Sequence, residues 1–294
     1  RLLRNIDGIQ ETVFPSQITF GTFAISYGYL REVLMTSFEY DVIHIQHPDP
    51  ISSIAIILLK IVNKKVKILT TWHAEIYKTY KIFSPILLII DLFLFSISNK
   101  IIYFTPFHVG SSFLARFNFF KNKIRIIEFS IKKPKFSSQK IKDRQLTNIT
   151  KKRNIDLLSV GRLVSYKGYE YSISAMQEVD KRVRYFIIGS GTLEIKLREL
   201  INNLKLSDRV FLLGSLNEEE KDFYFFKSDL FIFPSINQSE AFGIAQLEAL
   251  SFGLPIINTQ LHNGVNYLVP KNIAETCRHS NSQELANAIN KIIN

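Results

Sequence analysis

From residue 40 onward the chain alternates short runs of Ile, Val and Phe with longer segments whose apolar positions recur every three to four residues. Short apolar runs between helix-length segments are the pattern of parallel strands buried on both faces. The pattern predicts strands over 41–46, 66–71, 100–104 and 124–129, with helices over 52–62, 85–98 and 110–116 between them. After a polar interval it restarts, with strands over 155–160, 184–188, 210–213, 230–233 and 255–258. The helices of this half are predicted over 169–176, 193–204, 218–226, 241–252 and 282–293, the last with Leu285, Ala288, Ile289 and Ile292 on one face. Two successive βαβ arrays imply an α/β protein of two doubly wound domains facing across a cleft. Ligands of such sheets bind at the carboxyl ends of the strands, so the cleft is the expected site.

At 294 residues, 46% hydrophobic and 21% charged, the chain has apolar material for two cores and too little charge for a solvated coil. Its one cysteine, Cys277, excludes an intrachain disulfide, Cys-rich zinc folds and dithiol motifs, and fits a reducing, cytoplasmic compartment. The net charge is +11, of which 12 Lys or Arg against two acids between Lys121 and Asn154 supply +10. The charge is therefore local. It divides the chain into an N-terminal domain over 1–131, a basic linker over 132–153 and a C-terminal domain over 154–294. Its bland reading is a solvated connector. Attraction to an anionic membrane surface is the functional rival, and nucleic acid is not expected. The apolar run over 82–104 is broken by Pro85, Asp91, Asn99 and Lys100, which leaves no stretch of the ~20 residues that a spanning helix needs.

The segment FPSINQSEAFGIAQLEALSFG over 233–253 carries the densest chemistry. A strand ends at Phe233 and the next helix is predicted near Ala241, with Glu240 at its N-cap and Gly243 exposing the amides of its first turn as an anion site. Glu248 lies two turns further along in apolar company, where an isolated carboxylate is unusual. The segment VGRLVSYKG over 160–168 places Gly161, Arg162 and Lys167 on a strand-to-helix turn, suited to a diphosphate. Gly189 and Gly191 form a second such turn but lack the third glycine of the dinucleotide fingerprint.

Together VGRLVSYKG, IIGSG, VFLLG and PSINQSEAFGIAQLEALSFGLPIINT resemble the C-terminal half of family-4 retaining glycosyltransferases, over nearly all of 155–269. The resemblance implies the GT-B fold, two Rossmann-like domains with the N-terminal one incomplete. VIHIQHPDP and ILTTWHAEI look similar to the branch containing mannosyltransferases of surface-polysaccharide, including lipopolysaccharide, biosynthesis. By this resemblance Arg162 and Lys167 hold the donor diphosphate, and the backbone at Phe242, Gly243 and Ile244, with Gly161, Gly189 and Gly191, lines the donor. Glu240 then binds the sugar hydroxyls, Glu248 the ribose, and His73 meets the donor sugar from the other domain. The expected reaction moves a hexose, mannose from GDP-mannose first, from a nucleoside diphosphate sugar to a glycan or lipid-linked glycan at the inner face of the plasma membrane.

No Asp-x-Asp pair is present, and no metal or resident cofactor is expected. His44 and His47 alternate around a strand end without a carboxylate at ligand spacing and read as cleft-lining or structural. Asp49 is a lone carboxylate, and Glu75 is a candidate near the acceptor. A nucleotide-sugar epimerase or hydrolase on the same fold is the alternative. The family's opening strand, Gly-rich turn and helix have no counterpart here, Gly21 and Gly28 are read as loop residues, and the chain begins without Met. It reads as a fragment whose family continues beyond both ends.

Overall fold

The computed structural model describes residues 2–6, 8–20, 23–73, 84–131, 154–237, 240, 242–261, 264–269 and 274–294. They fall into two compact units, Arg1–Glu128 and Phe129–Asn294. The basic connector over 132–153 lies outside the described residues, as do Glu75, Gly21 and Ala241.

In the first unit, β1 (Leu2–Ile6) pairs with β2 (Ile9–Val13), and β3 (Ile18–Phe20) with β4 (Phe23–Ile25), as antiparallel hairpins that the sequence pattern did not predict. Helix α1 (Tyr27–Thr36) follows and contains Gly28, a correction to its assignment as a loop glycine. A four-stranded parallel sheet then runs in sequence order: β5 (Val42–His47), β6 (Lys67–Trp72), β7 (Lys100–Tyr103) and β8 (Ile124–Ile126). Its helices are α2 (Pro50–Val62), α3 (Ser84–Ile97) and α4 (Pro106–Ser111). The helix expected over 110–116 starts earlier. Thr105 accepts from the His108 amide and Pro106 takes the first helical position, so capping fixes the start upstream, with only a 3-10 turn at Leu114–Arg116. Asp49 caps α2, accepting from the amides of Ile51 and Ser52 at 3.2 Å. This lone carboxylate thereby has a structural task.

The second unit alternates β9 (Ile155–Val160), α5 (Tyr169–Ala175), β10 (Val183–Ile188), α6 (Glu194–Asn203), β11 (Val210–Gly214), α7 (Glu218–Lys227), β12 (Leu230–Phe233), α8 (Ile244–Ser251), β13 (Ile256–Gln260), α9 (Gly264–Leu268), β14 (Ala274–Arg278) and α10 (Ser282–Ile293). All six strands are parallel, in the order β11-β10-β9-β12-β13-β14. This is a doubly wound sheet whose switch point lies between β9 and β12. Both faces are covered: Leu157, Tyr185 and Ile187 pack toward Ile173, Leu197 and Ile289, and Leu158, Phe231 and Phe233 toward Phe252 and Leu254. Two buried bonds fasten the switch point. The Asp156 amide donates to the Asp229 carboxylate at 3.0 Å, and the Ser159 hydroxyl to the Ile232 carbonyl at 2.5 Å, each across 73 residues of chain. Among the described residues no helix is long and apolar enough to cross a membrane.

Candidate functional site

The loops after β9 and β12 meet at the switch point. Lys167, ending the first loop, places its ammonium 2.5 Å from Glu240 Oε2, and the two side chains are only 11% and 12% exposed. The ammonium also lies 5.1 Å from the Phe233 ring centre and 5.6 Å from that of Tyr166. Glu240 further accepts from the Ser235 hydroxyl at 3.3 Å. Arg162 is held by an Nη2 bond of 3.0 Å to the Tyr166 hydroxyl. Tyr169 is buried beneath, its hydroxyl pushed well above the usual range by burial first and then by neighbouring Tyr185, Glu240 and Tyr166.

Gly161 permits this packing, since a Cβ there would stand 2.9 Å from the Tyr169 hydroxyl and 3.2 Å from the Lys167 ammonium. Gly189 and Gly191 are constrained differently. A Cβ on either would collide with backbone, 2.0 Å from the Gly161 carbonyl oxygen and 2.4 Å from that of Leu163. These glycines are therefore explained first as close backbone approaches between the turns after β9 and β10.

Helix α8 begins at Ile244, with Gly243 in the left-handed region as its N-cap and no side-chain cap on the first-turn amides. This corrects the expectation that Glu240 caps it. Glu240 lies upstream of the cap, drawn to Lys167, so the spacing from Glu240 to Glu248 does not lie along one helix. Phe242 is buried, packed edge-on against Phe129 at 4.7 Å, while Ile244 is exposed. Gln246, fully buried, anchors α8 by donating to the Val265 carbonyl at 3.2 Å and accepting from Asn258 at 3.0 Å.

Glu248 is not solitary. Lys221 of α7 reaches it at 2.8 Å and also holds Glu218 at 3.0 Å. Burial alone would lower the Lys221 ammonium, but the bonds from Glu248 and Glu218 outweigh it and hold it above its ordinary value. Sequence reasoning missed Lys221 because the run EEEK reads as a solvated helix start. The run is in fact capped by Asn217 in a capping box with Glu220.

In the first unit, the carboxyl ends of β5 and β6 carry a polar network on one sheet face. His73, half-buried, donates from Nε2 to the Gln46 carboxamide oxygen at 2.7 Å, and its ring lies 5.0 Å from that of Phe104. The Gln46 carboxamide nitrogen lies 3.1 Å from His44 Nε2, and the Thr71 hydroxyl is hydrogen-bonded to the same nitrogen at 2.6 Å. Burial lowers both imidazoles below the ordinary histidine value, and for His73 the neighbouring His47 and His44 add to the effect. On the opposite face His47 is fully buried, stacked on Trp72 at 3.8 Å and bonded to Asp91 of α3 at 2.9 Å. His47 is thus structural, as one of the two sequence readings had it.

The sequence profile of Glycosyl transferases group 1 matches residues 139–294. An archaeal protein described as an uncharacterized glycosyltransferase, from Methanocaldococcus jannaschii, is 30% identical over 79% of this chain and 58% of its own length. The O-antigen chain mannosyltransferase C of Escherichia coli is 27% identical over 87% of this chain and 66% of its own. Among solved structures, Anabaena HepE in complex with UDP and glucose aligns with a TM-score of 0.74 at 22% identity, covering 96% of this chain and 76% of that one. This likeness bears out the GT-B fold class. The chain spans 58% and 66% of the two curated relatives' lengths. It belongs to the group 1 glycosyltransferases.

Proposed function

We propose that this group 1 glycosyltransferase chain is part of a retaining, metal-independent hexosyltransferase of family 4. Its donor is a nucleoside diphosphate sugar, GDP-mannose by first choice, and its acceptor a glycan or lipid-linked glycan of cell-surface polysaccharide biosynthesis. The observation that carries the reading is the Lys167 and Glu240 pair at the switch point of the second sheet, with Arg162 on the same loop. As the bond between the sugar and the diphosphate breaks, negative charge builds on the leaving group. Lys167, Arg162 and the first-turn amides of α8 supply positive potential fixed in advance of that charge. In this reading Glu240 exchanges Lys167 for a ligand and accepts from sugar hydroxyls, and Glu248 accepts from ribose hydroxyls, roles that rest on the motif resemblance. Retention, the mannosyl branch and action at the inner membrane face rest on motif resemblance, with the E. coli mannosyltransferase as support for mannose. HepE, solved with UDP and glucose, makes UDP the rival nucleotide.

The test is calorimetric titration with GDP, UDP and their mannose and glucose conjugates, beside Arg162→Ala and Glu248→Ala. Micromolar binding of one nucleotide, weakened at least tenfold (about 1.4 kcal/mol) in both variants, is expected. Unchanged affinity in both variants overturns the assignment of the site.

A further inference from the structure

Helices α2 and α3 are apolar on every side, although one side of each is open. Their sequences are PISSIAIILLKIV and SPILLIIDLFLFSI. They pack against each other over one face of the first sheet, with Leu94 of α3 joining Ile56 and Leu59 of α2 in one core. That accounts for their inner faces. On the outer faces Ile54, Leu58 and Ile61 recur at helical spacing along α2, and Ile86, Ile89 and Phe93 along α3, each between 37% and 67% exposed. A surface helix ordinarily sets polar residues there. The two charged residues of these helices are both engaged elsewhere. Asp91 is buried against His47, and the Lys60 ammonium donates to the carbonyls of Lys64 and Val66 at 2.8 and 2.6 Å.

Positive charge gathers at the carboxyl ends of the same helices. Exposed Lys64 and Lys65 follow α2. Lys123 donates to the carbonyls of Phe95 and Ser96 at the end of α3, at 3.2 and 2.6 Å, and its ammonium lies 5.8 Å from the ring centre of exposed Phe119. Lys121 is exposed on the 3-10 turn Asn118–Lys123. Residues 60–67 and 114–127 contain no acid. The acids at this end of the sheet, Glu39 and Asp41, lead into edge strand β5.

We propose that the outer faces of α2 and α3 form a docking surface for an anionic bilayer, with the Ile, Leu and Phe side chains below the headgroups and the lysines at the lipid phosphates. At 13 and 14 residues the helices are ~20 Å long. They are too short to span and lie in the plane of the interface, as apolar faces with basic borders do. Charge selects this occupant over two others. A second copy bringing the same face would set lysines against lysines, with no exposed acid on either helix to answer them. The connector over 132–153 is itself basic. An anionic lipid surface complements both the apolar stripes and their border. The surface is independent of the donor reading and holds whichever nucleotide the second unit takes.

The experiment is flotation of the full chain with vesicles of phosphatidylcholine alone and of phosphatidylcholine mixed with phosphatidylglycerol. The chain should float with the mixed vesicles and stay behind with the neutral ones. The basic connector can bind such vesicles by charge alone, so the deciding variant carries Ile61→Ser and Phe93→Ser, at two exposed positions outside the core. With its fold checked by circular dichroism, its partition should fall about tenfold or more. Lys64→Gln with Lys65→Gln should weaken binding and flatten its dependence on salt. Independently, Ile89→Cys can carry an environment-sensitive fluorophore, since the chain's one native thiol, Cys277, is buried. Its emission should shift to the blue on the mixed vesicles. Absence of flotation, flotation unchanged in the serine variant, or an unshifted probe overturns the proposal. So does a dimer, seen by light scattering and lost in the serine variant, that leaves the vesicles unbound. Nucleotide calorimetry tests the donor reading separately, since no lipid enters it.

Discussion

Replacing Glu240 by Gln separates two roles of the Lys167 pair, and the two respond with opposite sign. The pair is short at 2.5 Å and its side chains are 11% and 12% exposed, so water offers little compensation when one partner is neutralised. Removing one member of a buried pair costs about 3–5 kcal/mol. Here the loss is reduced because Lys167 keeps its contacts with the Phe233 and Tyr166 rings, worth about 0.5–1 kcal/mol each. The amide also retains the Ser235 bond. The second unit should therefore lose about 2–3 kcal/mol in urea-induced unfolding followed by far-UV circular dichroism. Nucleoside diphosphate binding should move the other way. The variant frees a cation at the switch point and removes a carboxylate beside it, so calorimetry should show affinity rising about three- to tenfold (~0.6–1.4 kcal/mol). Sugar transfer should fall, because under the proposed function the remaining amide oxygen is a weaker acceptor for the sugar hydroxyls than the carboxylate. In a cycle with Lys167→Met the coupling should be about 1–3 kcal/mol. Unchanged stability together with weakened nucleotide binding would refute the account, since Lys167 would then be neither held by Glu240 nor released to the ligand.

Three further outcomes follow from the geometry. Gly189→Ala forces a Cβ to 2.0 Å from the Gly161 carbonyl oxygen. Thermal or urea unfolding of that variant should register a loss of about 3 kcal/mol. His44 and His73 have folded values depressed below the ordinary one, which for the unfolded chain is about 6.5, so the unfolded chain binds more protons in mildly acidic solution. Their contribution to stability is complete above that pH and is lost as pH falls through the folded midpoints, a trend that His44→Gln and His73→Gln should each flatten in unfolding measured from pH 8 to pH 5. Cys277 is buried, with burial foremost pushing its thiol up to about 11, so a thiol reagent at pH 8 should label it only at the rate of unfolding.

The central strands of the second sheet were legible because burial on two faces writes a nearly continuous apolar run, as in YFII at β10 or LFIF at β12. Strand β14 was not, since AETCR at a sheet edge mixes polar and apolar residues and gains its pairing only from β13. The hairpin β1–β2 was missed because its residues are mostly exposed, whereas α1 was missed although Leu30, Val33 and Leu34 recur at helical spacing and Val33 and Leu34 pack on the core of the first sheet. Motif resemblance singled out Arg162, Lys167, Glu240 and Glu248 as expected site residues, and the structure shows whom they hold. Lys167 with Glu240, and Lys221 with Glu248, are partnerships between segments that lie far apart along the chain. Local pattern cannot contain them. The start of α8 was misplaced because Gly243, in the left-handed region, takes the cap, and Glu240 upstream is paired with Lys167.

The strand order of the second sheet also sets a timetable. Central strand β9 has β10 on one side and β12 on the other, and β12 follows it by 73 residues. At synthesis rates of about 5–20 residues per second, β12 leaves the ribosome roughly 4–15 s after β9. Through that interval β9 can pair with β10, while its other edge, the Asp156 amide and the Ser159 hydroxyl wait for Asp229 and Ile232. Glu240 emerges later still, so Lys167 also waits for its carboxylate. The nascent chain carries an open strand edge beside an uncompensated cation, a surface for a chaperone to cover, and arrest of translation between residues 200 and 228 should leave it in its most aggregation-prone state.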